Sequence, residues 1–174
     1  MLIKVVLKQI IKKIKSIVVV CHGNILRSQV LEKYLKHYSE MNSVKLKLYS
    51  AGIAEWEAYE NTEDLLQEVE KELNKRGLLV TLKRNIWNKE VEKQILDADF
   101  VLAADADIKT VILSRMEGSF SKEKVYTYYE FIDEGEKSFQ DTYDHILKRQ
   151  DPVRFEASFN ELARIAEKAV KLNF

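Results

Sequence analysis

The chain's only cysteine, Cys21, stands six residues before Arg27, with Ser28 next and Gly23 and Asn24 between. A thiol, a guanidinium, a hydroxyl and two turn-forming residues at this C-x5-R-S spacing suit one kind of ligand. A tight loop running into a helix gathers the backbone N–H groups of His22, Gly23, Asn24, Ile25, Leu26, Arg27 and Ser28 near the helix N-terminus. Free amides and the helix dipole favour an anion there. Arg27 can grip two oxygens of a phosphate or similar oxyanion in a planar fork. The same positive field favours the thiolate of Cys21, which is the nucleophilic form, and Ser28 can donate a hydrogen bond to the sulfur. A phosphate cradle and a nucleophile in one loop spell attack of sulfur on phosphorus. A lone thiol closing a strand is by itself more often a small buried residue. The five residue types together arise by chance in well under about one in a thousand chains of this length.

Elements on either side must position this loop. Ile17 to Val20 is a β-branched apolar run, as expected of a strand covered on both faces. Gly23 and Asn24 tolerate unusual backbone angles. Val30, Leu31, Tyr34, Leu35 and Tyr38 recur at helical spacing, so a helix begins near Ser28. Val44–Tyr49 alternates as a half-exposed edge strand and ends in the small residues Ser50-Ala51-Gly52, which allow another backbone to approach. Helices follow over 61–76, stopped by Gly77, and over 88–96. A third strand is expected at 98–104, a helix at 107–115 and a fourth strand at 124–128. A polar loop covers 130–150, and an amphipathic helix over 155–172 closes the chain. Strands alternating with helices imply an α/β fold with a parallel sheet, whose ligands bind beyond the C-terminal strand ends, where Cys21 lies.

The sole proline, Pro152, stiffens the turn at Asp151. Phosphoryl transfer to sulfur needs an acid for the leaving oxygen and then a base to activate water. Asp151 can serve as both, although Asp-Pro is by itself a common entry to a helix.

With 174 residues, 46% hydrophobic and 32% charged, the chain is long enough for one globular domain with a proper core. The balance of 28 basic and 28 acidic residues predicts neither a nucleic-acid nor a membrane partner. A single cysteine excludes an internal disulfide and a multi-cysteine zinc site, and it fits a reducing, cytoplasmic setting. Residues 1–15 are expected to form an amphipathic helical extension, with Ile3, Val6, Leu7, Ile10, Ile11 and Ile14 opposite lysines. The extension is too short and too charged to span a bilayer, and it carries no small-residue cleavage site. It is expected to cover an apolar patch on its own domain, 16–174, or on a second copy. Lying on a membrane surface is the alternative.

From about Ser16 onward the chain resembles the low-molecular-weight protein tyrosine phosphatases and the related arsenate reductases. The resemblance rests on Cys21-His22-Gly23-Asn24-Ile25-Leu26-Arg27-Ser28, Ser50-Ala51-Gly52, Lys75-Arg76-Gly77, Ala98-Asp99-Phe100-Val101-Leu102 and Asp151-Pro152. It implies a four-stranded parallel sheet flanked by helices, a phosphocysteine on Cys21, and phosphate held by Arg27 and the loop amides. It further implies Asp151 as acid then base, Asn24 holding the loop in shape, and Ser28 and Ser50 in its hydrogen-bond network. No metal or organic cofactor is implied. The implied substrate is a phosphotyrosine protein or small aryl phosphate.

The chain departs from the family pattern at several places. Leu26 stands where relatives commonly have a second cysteine, Gln29 where a proline usually follows Arg-Ser, and Val153 where an aromatic follows Asp-Pro. A histidine that many relatives place after Gly77 is not evident. Trp56 lies where relatives keep an aromatic on the other wall of the substrate slot, or else anchors its own loop. Ile25 resembles the tyrosine-specific members, whereas protein-arginine phosphatases of the family tend to carry Thr there. His22 is expected to point away from the phosphate. Tyr128 and Tyr129 resemble a tyrosine pair phosphorylated in some relatives but are expected to be packing residues. Two other functions compete: an inactive phosphoprotein-binding relative, and an arsenate reductase that uses an external thiol.

Overall fold

The computed structural model describes residues 15–54, 62–139 and 151–174. Four strands, β1 (Lys15–Cys21), β2 (Leu46–Gly52), β3 (Phe100–Ala103) and β4 (Val125–Thr127), form one all-parallel sheet in the order β2-β1-β3-β4. Among the described residues five α-helices accompany them: α1 (Arg27–Met41), α2 (Thr62–Lys75), α3 (Lys89–Asp97), α4 (Ala106–Arg115) and α5 (Pro152–Asn173). The expected edge strand is β2, and the expected fourth strand is β4 at the other edge. Among the described residues of the polar 130–150 stretch, a short 3₁₀ turn forms at Glu130–Ile132.

The strands place alternate residues on opposite faces, as their two-residue period requires. Ile17, Val19, Cys21 and Leu102 join the α1, α2 and α5 side of the core. Val18, Val20, Val101 and Ala103 join the α3 and α4 side. Central β1 is covered on both faces, which accounts for its unbroken apolar run. After β1 the chain passes to one side of the sheet, and after β2 it returns to the other. The C-terminal ends of β1 and β3 therefore flank a topological switch point, the usual ligand crevice of such sheets.

Helix ends follow local chemistry. Asn88 caps α3 by accepting from the N–H groups of Glu90 and Val91, and Asp105 caps α4 by accepting from Ile108 N–H. Gly77, with φ +85°, follows α2 in the left-handed region. The start of the chain corrects one boundary. Lys15, assigned to the N-terminal helix, is the first residue of β1, where its ammonium pairs with Asp99 at 3.3 Å. The helix expected before it falls in residues 1–14, outside the described residues.

Candidate active site

Cys21 ends β1 and α1 begins at Arg27, so the loop between them is five residues long. Asn24 takes φ +52°, a left-handed conformation that asparagine enters more readily than most residues. Its amide N–H donates to Cys21 Sγ at 3.3 Å. Asn24 Nδ2 donates to Ser28 Oγ at 2.8 Å, and Ser28 Oγ lies 3.0 Å from Cys21 Sγ. Because the Ser28 oxygen already accepts from Asn24, its own hydrogen is available to the sulfur, and a thiolate can only accept. The sulfur thus sits among donors at a helix N-terminus, where intrahelical partners for the first amides are missing by geometry. Ile25 and Leu26 are buried beside it.

The loop is held from outside by backbone. Gly52 at the end of β2 lies so close that a Cβ there would meet His22 O at 2.6 Å and Asn24 N at 3.0 Å. That approach explains the small residues of Ser50-Ala51-Gly52. Ile53 N–H donates to Cys21 O and Ala54 N–H to His22 O. Arg84 Nε donates to Gly23 O at 2.8 Å, and Asn85 N–H donates to Asn24 Oδ1 at 2.7 Å. Ser50 reaches this network only through Asn85, whose Nδ2 donates to Ser50 O. The Ser50 hydroxyl itself donates to Glu32 on α1 at 2.8 Å.

Arg27 is 4% exposed. Its Nη1 donates to Asp105 Oδ2 at 2.7 Å and to Phe139 O at 3.3 Å. Asp105 leaves the end of β3 across the switch point and spends its other oxygen on Ile108 N–H. One carboxylate thus fixes the arginine with one oxygen and starts α4 with the other. Tyr128 is completely buried, so it packs as expected, and its hydroxyl donates to Val20 O at 3.4 Å. Burial pushes its phenol well above the usual range, the nearby sulfur of Cys21 adds to that, and Arg27 opposes it. Tyr129 donates to Glu161 at 3.0 Å.

The structure therefore brings together Cys21, Asn24, Arg27 and Ser28, with the backbone of His22 and Gly23. Among the described contacts it does not bring in Asp151. That side chain caps α5 by accepting from Arg154 N–H at 2.9 Å, and Val153 beside it is 76% exposed. Trp56 lies outside the described residues. Sequence reasoning passed over Asp105, Asn85, the Phe139 carbonyl and the role of Gln29. A signal existed for Asp105, an acidic N-cap just past a buried strand. Among the described residues, no group of three or more His, Cys, Asp or Glu is placed to hold a metal, and no helix is long and apolar enough to cross a membrane.

Comparison with known proteins adds to this geometry. Residues 16–172 match the family model described as low molecular weight phosphotyrosine protein phosphatase. Among solved structures, the chain is similar to a low molecular weight protein tyrosine phosphatase from T. tengcongensis, at 22% identity over 90% of this chain and 98% of that one, with TM-score 0.70. It is similar to a YwlE mutant from Bacillus subtilis at 21% identity, over 90% and 97%, with TM-score 0.69. It is also similar to YwlE arginine phosphatase from Geobacillus stearothermophilus at 20% identity, over 90% and 91%, with TM-score 0.65. Among curated proteins none matches the sequence. At these identities the structural likeness speaks for the fold.

Proposed function

The chain belongs to the low molecular weight phosphotyrosine protein phosphatase family, and from that premise we propose that it hydrolyses phosphate monoesters through a phosphocysteine on Cys21. The observation that carries the reading is the sulfur of Cys21, which meets Asn24 N–H at 3.3 Å and Ser28 Oγ at 3.0 Å at the mouth of α1. In the first step the thiolate attacks phosphorus, the S–P bond forms and the ester P–O bond breaks, with an acid protonating the departing oxygen. In the second, the resulting carboxylate takes a proton from water, the water oxygen attacks phosphorus and the S–P bond breaks. Inorganic phosphate leaves, and thiolate and acid are restored. Arg27 and the loop amides hold the three non-bridging oxygens as charge develops.

Asp151 is the acid and base of this proposal. Its Oδ1 caps α5 by accepting from Arg154 N–H, and the proposal gives its other oxygen the proton transfer. Asp151→Asn tests this role: it should lose more turnover on poor leaving groups than on p-nitrophenolate, and an equal loss on both overturns Asp151 as the acid.

Phosphotyrosine is the proposed substrate class, on the apolar Ile25 that follows Asn24. Turnover of phosphotyrosine, phosphoserine and phosphoarginine peptides tests that choice, and dominance of phosphoarginine overturns it. Purified protein is expected to hydrolyse p-nitrophenyl phosphate at mildly acidic pH, and Cys21→Ser to abolish that activity. Intact turnover in Cys21→Ser sinks the proposal. Tight phosphate binding without turnover in the wild type would mark an inactive binder, and arsenate-dependent oxidation of a small thiol would mark a reductase.

A further inference from the structure

Gln29 lies one position past Ser28, in the first turn of α1, and is 2% exposed. Its Nε2 faces three acceptors: Lys83 O at 2.7 Å, Asn24 Oδ1 at 3.2 Å and Asn24 O at 3.4 Å. The orientation of both amides is fixed by backbone groups of only one polarity. The Lys83 carbonyl can only accept, so the nitrogen of Gln29 must face it. Asn85 N–H can only donate, so the oxygen of Asn24 must face that group at 2.7 Å. It follows that Asn24 Nδ2 is the end turned to Ser28, at 2.8 Å. A proline at this place has no side-chain donor and could not make these contacts.

From this arrangement we propose that Gln29 is a positioning residue for the thiolate, acting through Asn24. It ties α1, the loop and the 83–85 segment to one another and keeps Asn24 in its left-handed conformation, φ +52°. Asn24 supplies the sulfur with one donor directly, its own N–H at 3.3 Å, and orients a second, the Ser28 hydroxyl at 3.0 Å. Losing the Gln29 amide breaks the tie to Lys83 O and leaves the buried Asn24 oxygen with Asn85 N–H alone, and a donor lost at a buried group is costly. Relaxation of Asn24 then withdraws both donors from the sulfur together. The inference rests on the phosphatase reading for its consequence in catalysis, but not for its effect on the sulfur.

The experiment compares wild type, Gln29→Met and Gln29→Glu, with Cys21→Ser as blank. It reads thiolate absorbance against pH, inhibition of p-nitrophenyl phosphate turnover by inorganic phosphate, and the melting temperature. Gln29→Met keeps the volume and removes the donors. It is expected to move thiolate formation to higher pH and to weaken phosphate inhibition roughly five- to tenfold. In Gln29→Glu the introduced carboxyl can donate only while protonated, so this variant should approach wild type at acid pH and depart from it as pH rises. A purely structural role lowers the melting temperature and leaves thiolate formation and phosphate inhibition where they were. That result in Gln29→Met overturns the inference. If Gln29→Met does not fold, a pH profile of Gln29→Glu parallel to wild type overturns it equally. A wild type without turnover refutes the phosphatase reading alone, because the thiolate titration still reports whether Gln29 acts on the sulfur.

Discussion

Two polar clusters in this molecule have many hydrogen bonds each and depend on them very differently. Around Asn24 the partners are mostly uncharged and sealed from water: Asn24 and Ser28 are 0% exposed and Gln29 2%. Around Glu134 the partners are ions. Arg164 Nη1 pairs with Glu134 at 2.6 Å, Arg164 Nη2 with Glu161 at 2.7 Å and Lys168 with Glu134 at 2.9 Å, with the Arg164 side chain 43% exposed. Water can replace any member of the second cluster, and salt screens it. Nothing replaces a member of the first. Burial, more than the number or charge of the bonds, decides what a polar network is worth.

That comparison breaks if the buried cluster tolerates loss. Asn24→Ala removes three hydrogen bonds of the side chain, to Ser28, Gln29 and Asn85, and leaves alanine in left-handed backbone, so denaturant unfolding should show a loss of about 2–4 kcal/mol. Phosphate inhibition should vanish with it, and Asn24→Gly should regain the backbone part only. A stable, phosphate-sensitive Asn24→Ala would show that the loop holds its shape without the network.

Asp105→Asn sharpens the contrast, since it removes the charge from the Arg27–Asp105 pair while the amide oxygen can still cap α4. With Arg27 buried, the cost is expected to be about 1–3 kcal/mol, read as a melting temperature lower by roughly 3–10 °C. kcat/KM for p-nitrophenyl phosphate should fall as the guanidinium loses its anchor. An equal change in Glu134→Gln would erase the distinction between the two clusters.

The smallest effect belongs to the exposed cluster. Hydrogen bonds from Arg164 and then Lys168 hold the Glu134 carboxyl down at about 2. A carboxyl lowered in the folded state adds stability that is complete above its ordinary value near 4.5 and is lost as pH falls toward 2. Wild-type urea midpoints should therefore decline across that window. Glu134→Gln should flatten the decline while changing stability at neutral pH by at most about 1 kcal/mol, less at high salt.

What could be read from the chain beforehand divides along a similar line. The loop was legible because its chemistry is local: Cys21, Asn24, Arg27 and Ser28 fall within one turn and its helix. Gly77 and Asn88 marked helix ends for the same reason, and the apolar run of β1 announced a central strand. Spacing marks Gln29 only as a missing proline, because its acceptor, Lys83 O, is set by how the chain returns after α2. Asp105 needed the crossover from β2 to β3 before it could face Arg27. The family resemblance places Ser50 in the loop's network, yet its hydroxyl turns to Glu32, a partner fixed by the packing of α1 over β2. Spacing encodes turns and faces, and it leaves open which group lies opposite once the strands are ordered.

The braces on the Cys21 loop come from far along the polypeptide: Gln29 to Lys83 spans 54 residues, Asn24 to Asn85 spans 61, and Arg27 to Asp105 spans 78. Contacts of such separation form only after the intervening chain has been ordered, and they come late in folding. The sulfur accordingly gains its donors near the end of the process, after the helices are in place. Refolding followed by thiol labelling should lag behind recovery of helical signal, making the reactivity of one atom a report on whether the whole sheet has closed; simultaneous recovery would contradict it.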